Sequence, residues 1–198
     1  MENKKEIRNI SQPVTVDSEK RTVAGYAMLF DTPSDGLYFE EIIERGALDG
    51  VLEMSDVFAL MNHDERRGIL ARNNKGKGSL SLHIDERGLK YSFEAPATAL
   101  GDELLENIRR GEVDSSSFAF TVSKDTWEKK SSGDWKRTIH KIARVYDVSP
   151  VYDAAYSETT VYTRGKENAE KELAELEKRA KDEELKEYWN NIENQFNF

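Results

Sequence analysis

The chain has 198 residues, with 38 acidic against 29 basic side chains and a formal net charge of −9, so it offers no broad basic face to nucleic-acid phosphates. It contains no cysteine, which excludes disulfides, thiolate metal sites and cysteine nucleophiles. No stretch approaches the roughly eighteen apolar residues of a membrane span. The polar start MENKKEIRNI lacks the apolar core of a signal peptide, so a soluble cytoplasmic protein is expected.

TVAGYAMLF (22–30) mixes β-branched and aromatic residues and stops at DTPSDG, which reads as a strand ended by a turn. LYFEEIIERGALDGVLEM (37–54) opens as a strand and passes into a short helix around Ala47–Leu52. DVFALMNH (56–63) is a nearly continuous apolar run, the pattern of a fully buried strand. GSLSLHIDERGLKYSFEA (78–95) reads as a hairpin. Leu80, Leu82 and Ile84 alternate with Ser81, His83 and Asp85, and ERG makes the turn. ALGDELLENIRRGEV (99–113) predicts an amphipathic helix with Leu100, Leu104, Leu105 and Ile108 on one side and Gly111 as its stop. SSFAFTVSKDTWEKK and DWKRTIHKIARVYDVSPV (134–151) predict a second hairpin with a polar tip around Ser131–Asp134. AAYSETTVYTR closes this region, and no internal repeat is present. Many strands and few helices point to a mainly β (α+β) fold, a barrel or sandwich with helices packed outside.

The composition changes near Gly165, beyond which nearly every residue is a helix former. Ala169, Leu173, Leu176 and Ala180 share one helical face, and Leu185, Trp189, Ile192 and Phe196 repeat that spacing. The two stripes are out of phase, which predicts two short helices or one whose apolar face turns. A solvated tail is the ordinary reading. The apolar end, with Tyr188, Trp189, Ile192, Phe196 and Phe198, favours a helix that docks on a partner.

Three histidines can be weighed singly. His83 lies on the polar face of an alternating strand and His140 in a charged hairpin, so both are expected at the surface. His63 ends the most apolar run and precedes the charged DERRG, a boundary where small environmental effects set imidazole protonation. A structural turn histidine fits that position as well as a functional one. Asp147 stands in RVYDVSPV among Val145, Tyr146, Val148 and Val151, where an unpaired carboxylate is costly. It reads either as a cap before Pro150 or as the acceptor that orients a histidine. VDSSSFAF (113–120) opens a strand with Ser115, Ser116 and Ser117, although serine is a poor strand former. A solvated turn and a nucleophile at the strand mouth are the two readings. Serine, histidine and aspartate together can form nucleophile, base and orienter. No G-x-S-x-G elbow is present, and the chain order matches none of the familiar triads. A metal reading of NHDE is weaker, because too few histidines remain to complete a site.

Taken together, GYAMLFDTPS, IIERGALDGVL, VFALMNHD, GSLSLHIDERGL, IRRGEV, SSSFAF and YDVSPVYDAAYSETTVYTR resemble, in order, the prohead maturation proteases of tailed bacteriophages, serine endopeptidases similar to the herpesvirus assemblins. The likeness covers roughly residues 20–164. It implies a β-barrel core with surrounding helices, and a Ser–His–acid group. By the resemblance, His63 matches the histidine of the NHD motif, and Ser117 the serine before the Phe-x-Phe pair. Ser116 is the alternative, one residue away. Ala119 stands where relatives carry glycine, and Asp147 where they often carry glutamate, so the shorter acid must approach the histidine more closely. Strand alternation puts Ser115, Ser117 and Ala119 on one face and Ser116, Phe118 and Phe120 on the other. Phe118 and Phe120 are then expected in the core, with Ser117 pointing outward to substrate.

The resemblance further implies three segments: an N-terminal lead-in (1–19), a protease domain (20–164) and a charged helical tail (165–198) that contacts scaffold and is removed by autolysis. Its implied substrates are scaffold protein, the scaffolding segment of the major capsid protein, and the chain itself, cleaved inside the procapsid in the host bacterial cytoplasm. It implies no cofactor, metal, nucleic acid or membrane partner, and the herpesvirus relatives suggest a homodimer. The rival expectation is a non-catalytic procapsid assembly factor with the same fold.

Overall fold

The computed structural model describes residues 5–10, 12–17, 19–34, 37 and 39–152, together with Glu170, Ala174 and Lys178. The strands are β1 (Glu6–Ile10), β2 (Thr15–Asp17), β3 (Thr22–Leu29), β4 (Glu40–Ile43), β5 (Asp56–Ala59), β6 (Ala71–Asn74), β7 (Lys77–Gly78), β8 (Ser81–Ile84), β9 (Gly88–Glu94), β10 (Ser115–Lys129) and β11 (Trp135–Val151). Between β9 and β10 runs α1 (Ala99–Arg110).

Two sheets form from these strands. One has seven strands in the order β1-β10-β11-β5-β6-β7, with β4 also paired to β11; the other has four in the order β2-β3-β9-β8. The long β10–β11 hairpin is the spine of the larger sheet. Parallel strands β4 and β5 pair with opposite ends of β11, at Lys136–Ile139 and at Asp147–Val148. Val23, Met28, Val57, Leu89, Tyr91, Phe118, Phe120, Val145 and Val148 belong to one buried core. Phe118 and Phe120 stack at 4.6 Å. Gly25 of β3 is required by this closeness: a Cβ there would lie 2.9 Å from both Ser116 Oγ and Tyr91 Oη.

The expected barrel is therefore corrected. Among the described residues the pairing stops at β1 and β7 in one sheet and at β2 and β8 in the other, so neither sheet closes. Alternating burial is common to sandwiches and barrels, and only long-range pairing separates them. A second correction falls at Ala47–Leu52, which forms successive turns rather than a helix. Ala47, Asp49, Val51 and Met54 each donate to the carbonyl three residues back. Gly46 and Gly50 hold φ values of 87° and 70°, which interrupt a right-handed helix.

The hairpin over 78–95, the hairpin over 115–151 and the helix appear as expected. Thr98 caps α1 through the Gly101 N–H, and Gly111 ends it in the left-handed conformation. The strand expected over 56–63 ends at Ala59. The AAYSETTVYTR segment and most of the tail lie outside the described residues. Glu170, Ala174 and Lys178 are helical and exposed.

Candidate active site

After β5 the chain buries Leu60 and Met61 and then turns sharply. Asn62 and His63 both take left-handed backbone conformations, at φ 52° and 59°. Each costs on the order of 1 kcal/mol, and such strain persists only where its surroundings enforce it. The Asn62 N–H donates to the Pro150 carbonyl at 3.0 Å, tying the turn to the end of β11. Asp64 caps the following single helical turn, Glu65–Arg67, by accepting from the Arg66 N–H at 3.1 Å.

The turn aims His63 at the β10–β11 pair. Ser117 lies in register with Asn9 of β1 on one side and Ser149 of β11 on the other. Asp147 lies in register with Phe58 of β5. The structure thus brings together the three residues singled out in sequence. His63 Nδ1 is 2.5 Å from Asp147 Oδ1, and His63 Nε2 is 2.6 Å from Ser117 Oγ. With a carboxylate on Nδ1, the imidazole carries its proton there and leaves Nε2 as the acceptor. The short aspartate does approach the histidine closely.

Asp147 is 1% exposed. Burial alone would raise its carboxyl. The hydrogen bond and charge of His63, the Lys5 ammonium and the Ser149 hydroxyl outweigh it and hold the carboxyl below its ordinary range. Ser149 Oγ donates to Asp147 Oδ1 at 2.8 Å. Asp147 Oδ2 accepts no well-aligned hydrogen bond, and the Lys5 ammonium lies 3.2 Å from it.

The alternative serine has a different environment. Ser116 Oγ meets Tyr91 Oη at 2.8 Å between the two sheets, away from His63. The expectation that Ser117 points outward is corrected: it is 0% exposed. Parity places it opposite Ser116, but on that side its hydroxyl meets the His63 ring, and Ser117 Oγ also lies 2.9 Å from the Arg8 carbonyl of the neighbouring strand β1. The hydroxyl proton therefore has two acceptors, His63 Nε2 and the Arg8 carbonyl. Beside His63 a cleft of about 480 Å³ opens, lined by Met61, Asn62, Asp64, Glu65, Arg66, Arg67 and Tyr152.

Sequence reasoning missed Lys5, Ser149 and the anchoring of β1. Arg8 is 2% exposed and binds both oxygens of buried Glu41, at 2.6 and 2.8 Å, as well as Glu6 at 2.8 Å. Arg137 of β11 binds the same two acids at 2.6–3.0 Å and Asp125 at 2.7 Å. Burial would raise Glu41, but the two guanidinium groups outweigh it and keep its carboxyl below the usual range. The local signal was an alternation of acid and base in KEIRN, which by itself suggests an exposed edge.

His83 is exposed, as expected. His140 is half-buried and bridges Glu44 Oε2 at 2.7 Å and Thr126 Oγ1 at 3.0 Å. Among the described residues no cluster of three or more His, Asp or Glu is arranged to hold a metal ion, and no helix is long and apolar enough to cross a membrane.

A histidine joined to a serine hydroxyl on one nitrogen and a buried carboxylate on the other is the arrangement used by serine hydrolases. The family model of the caudovirus prohead serine proteases matches residues 8–173, and the chain belongs to that family. Among solved structures, the fold is similar to the bacteriophage T4 capsid assembly protease, gp21, at 11% identity and a TM-score of 0.49, covering 77% of this chain and 100% of that one. No curated protein matches the sequence.

Proposed function

We propose that this prohead protease is an endopeptidase in which Ser117 is the nucleophile, His63 the general base and Asp147 the orienting carboxylate. The observation that supports this most is the His63 ring bridging Ser117 and Asp147 at 2.6 and 2.5 Å. As Ser117 Oγ attacks a peptide carbonyl, its proton passes to His63 Nε2. The imidazolium is stabilised by Asp147 and then gives the proton to the departing amine. Water deprotonated by the same nitrogen releases the acyl group and restores the hydroxyl. Because Ser117 is covered in this conformation, the His63 turn or β1 shifts to admit the peptide, and the cleft at Met61–Arg67 is the entry.

The substrates in this reading are scaffold protein, the scaffolding segment of the capsid protein, and the chain itself, inside the procapsid. Residues 165–198 serve as a scaffold-contacting segment open to autolysis. Deleting them is expected to lower incorporation into procapsids while peptide hydrolysis persists, measured by immunoblot of purified particles. Two copies pairing through a surface of this domain belongs to the same reading.

The test is co-expression with the neighbouring capsid and scaffold proteins, followed by intact-mass analysis. Cleavage lost in Ser117→Ala and kept in Ser116→Ala supports the assignment. Loss only in Ser116→Ala moves the nucleophile by one residue. Identical uncleaved masses in assembled procapsids, wild type included, favour a non-catalytic assembly factor.

A further inference from the structure

Asp147 is almost wholly buried, yet one of its oxygens, Oδ2, has no well-aligned hydrogen-bond donor. Oδ1 is used twice, by His63 and by Ser149. A buried carboxylate oxygen without a partner is costly, and the group nearest to supplying one is the Lys5 ammonium at 3.2 Å. We propose that Lys5 is a positioning residue of the site, a fourth member whose ammonium fixes Asp147 in its ionised, His63-facing rotamer. This rests on the reading of His63, Ser117 and Asp147 given above.

Three further observations support it. First, Lys5 immediately precedes β1, and β1 is pinned by Arg8, whose guanidinium is buried against Glu6 and Glu41. The backbone beneath the lysine is therefore held, and its side chain reaches the carboxylate from a fixed base. Second, the ammonium also lies 5.3 Å over the Tyr146 ring, next in sequence to Asp147, and 3.8 Å from Glu65. These contacts bracket the lysine between the His63 turn and β11. Third, a typical surface ion pair contributes little because water screens it, but here one partner is 1% exposed and the Coulomb interaction is stronger. Among the described residues, the charged groups around the pair are then Lys5 from the lead of β1, Glu65 from the turn after His63, Arg144 of β11, whose guanidinium lies 4.8 Å over the same Tyr146 ring, and the imidazole itself. Lys5 precedes the family-matched residues 8–173, so the family assignment says nothing of it.

The measurement is the proton titration of the histidine rings in the full chain, labelled with ¹⁵N-histidine and followed by NMR, with His83→Gln and His140→Gln assigning the remaining signal to His63. Removing a nearby positive charge eases protonation of the imidazole–carboxylate pair. Lys5→Met is therefore expected to move the His63 midpoint to higher pH by ~0.5 unit, and Lys5→Arg to restore it. Superimposable curves for wild type and Lys5→Met overturn the proposal. So does an equal shift in Lys5→Met and Lys5→Arg, since charge is then not the cause. The readout needs no substrate. If Ser117→Ala keeps full cleavage, the proposed catalytic roles fail, while the Lys5–Asp147 coupling stands or falls on the titration alone.

Discussion

Two histidines in this molecule make the same set of bonds. His63 lies between Asp147 and Ser117; His140 lies between Glu44 and Thr126. The difference is in what surrounds them. Around His63 the carboxylate is 1% exposed, the hydroxyl is buried and the backbone is left-handed. Around His140 the carboxylate is 46% exposed, and the ring belongs to an ordinary strand, β11. Water screens Glu44 and competes for Thr126, so those contacts are weak. A carboxylate–imidazole–hydroxyl chain is therefore not sufficient by itself; burial and the left-handed backbone set the candidate site apart from its look-alike.

The largest expected contrast is between the two hydroxyls. Ser117→Ala is expected to lower capsid-protein cleavage by at least about a thousandfold, whereas Thr126→Ala leaves it within about twofold, read by intact mass over time. A comparable loss in Thr126→Ala would break the distinction. The carboxylates come next. Asp147→Asn is expected to cost about a thousandfold, because the amide carries no charge to stabilise the imidazolium and its NH2 can donate to Nδ1, turning the ring to its other tautomer, while Glu44→Gln is near neutral.

The ion cluster under β1 gives the next effect, on stability. Glu41→Gln leaves Arg8 and Arg137 under-compensated in the interior and is expected to cost about 3 kcal/mol in urea unfolding. Because β1 carries the carbonyl beside Ser117, cleavage should fall with it.

Acid sharpens the comparison further. The folded Asp147 carboxyl lies below its unfolded value, so its contribution is complete above about pH 4 and is lost as pH falls through the folded value. Unfolding free energy of wild type should then decline more steeply below pH ~4 than that of Asp147→Asn. The smallest effect is expected at Ser116→Ala, which removes one buried hydrogen bond to Tyr91. It should cost about 1 kcal/mol and leave cleavage intact.

Much of the candidate site was legible in the chain, but for uneven reasons. His63 stood out because it closes an apolar run, and Asp147 because it interrupts one. Ser117 was separated from Ser116 by strand parity, and the structure gives the two serines opposite surroundings. Parity could not say that the Ser117 hydroxyl would be enclosed between the His63 ring and the Arg8 carbonyl. Nor could it reveal Ser149, which is ordinary in DVSPV until its hydroxyl meets Asp147. The turns at Ala47–Leu52 were misread as helix because helix-forming residues mask what Gly46 and Gly50 do to the backbone.

What the sequence determined by itself was local: the strand periodicities, the capped helix ending at Gly111, the two hairpins, and the residue types from which a nucleophilic relay can be assembled. Those follow from interactions between residues close in the chain. The tertiary structure alone decided whether the strands close into a barrel, that the Ser117 hydroxyl is enclosed, that Lys5 meets Asp147, and that Arg8, Glu41 and Arg137 converge from distant segments. Such outcomes depend on pairing across long separations, where burial sets the strength of each charge and no local pattern records the partner.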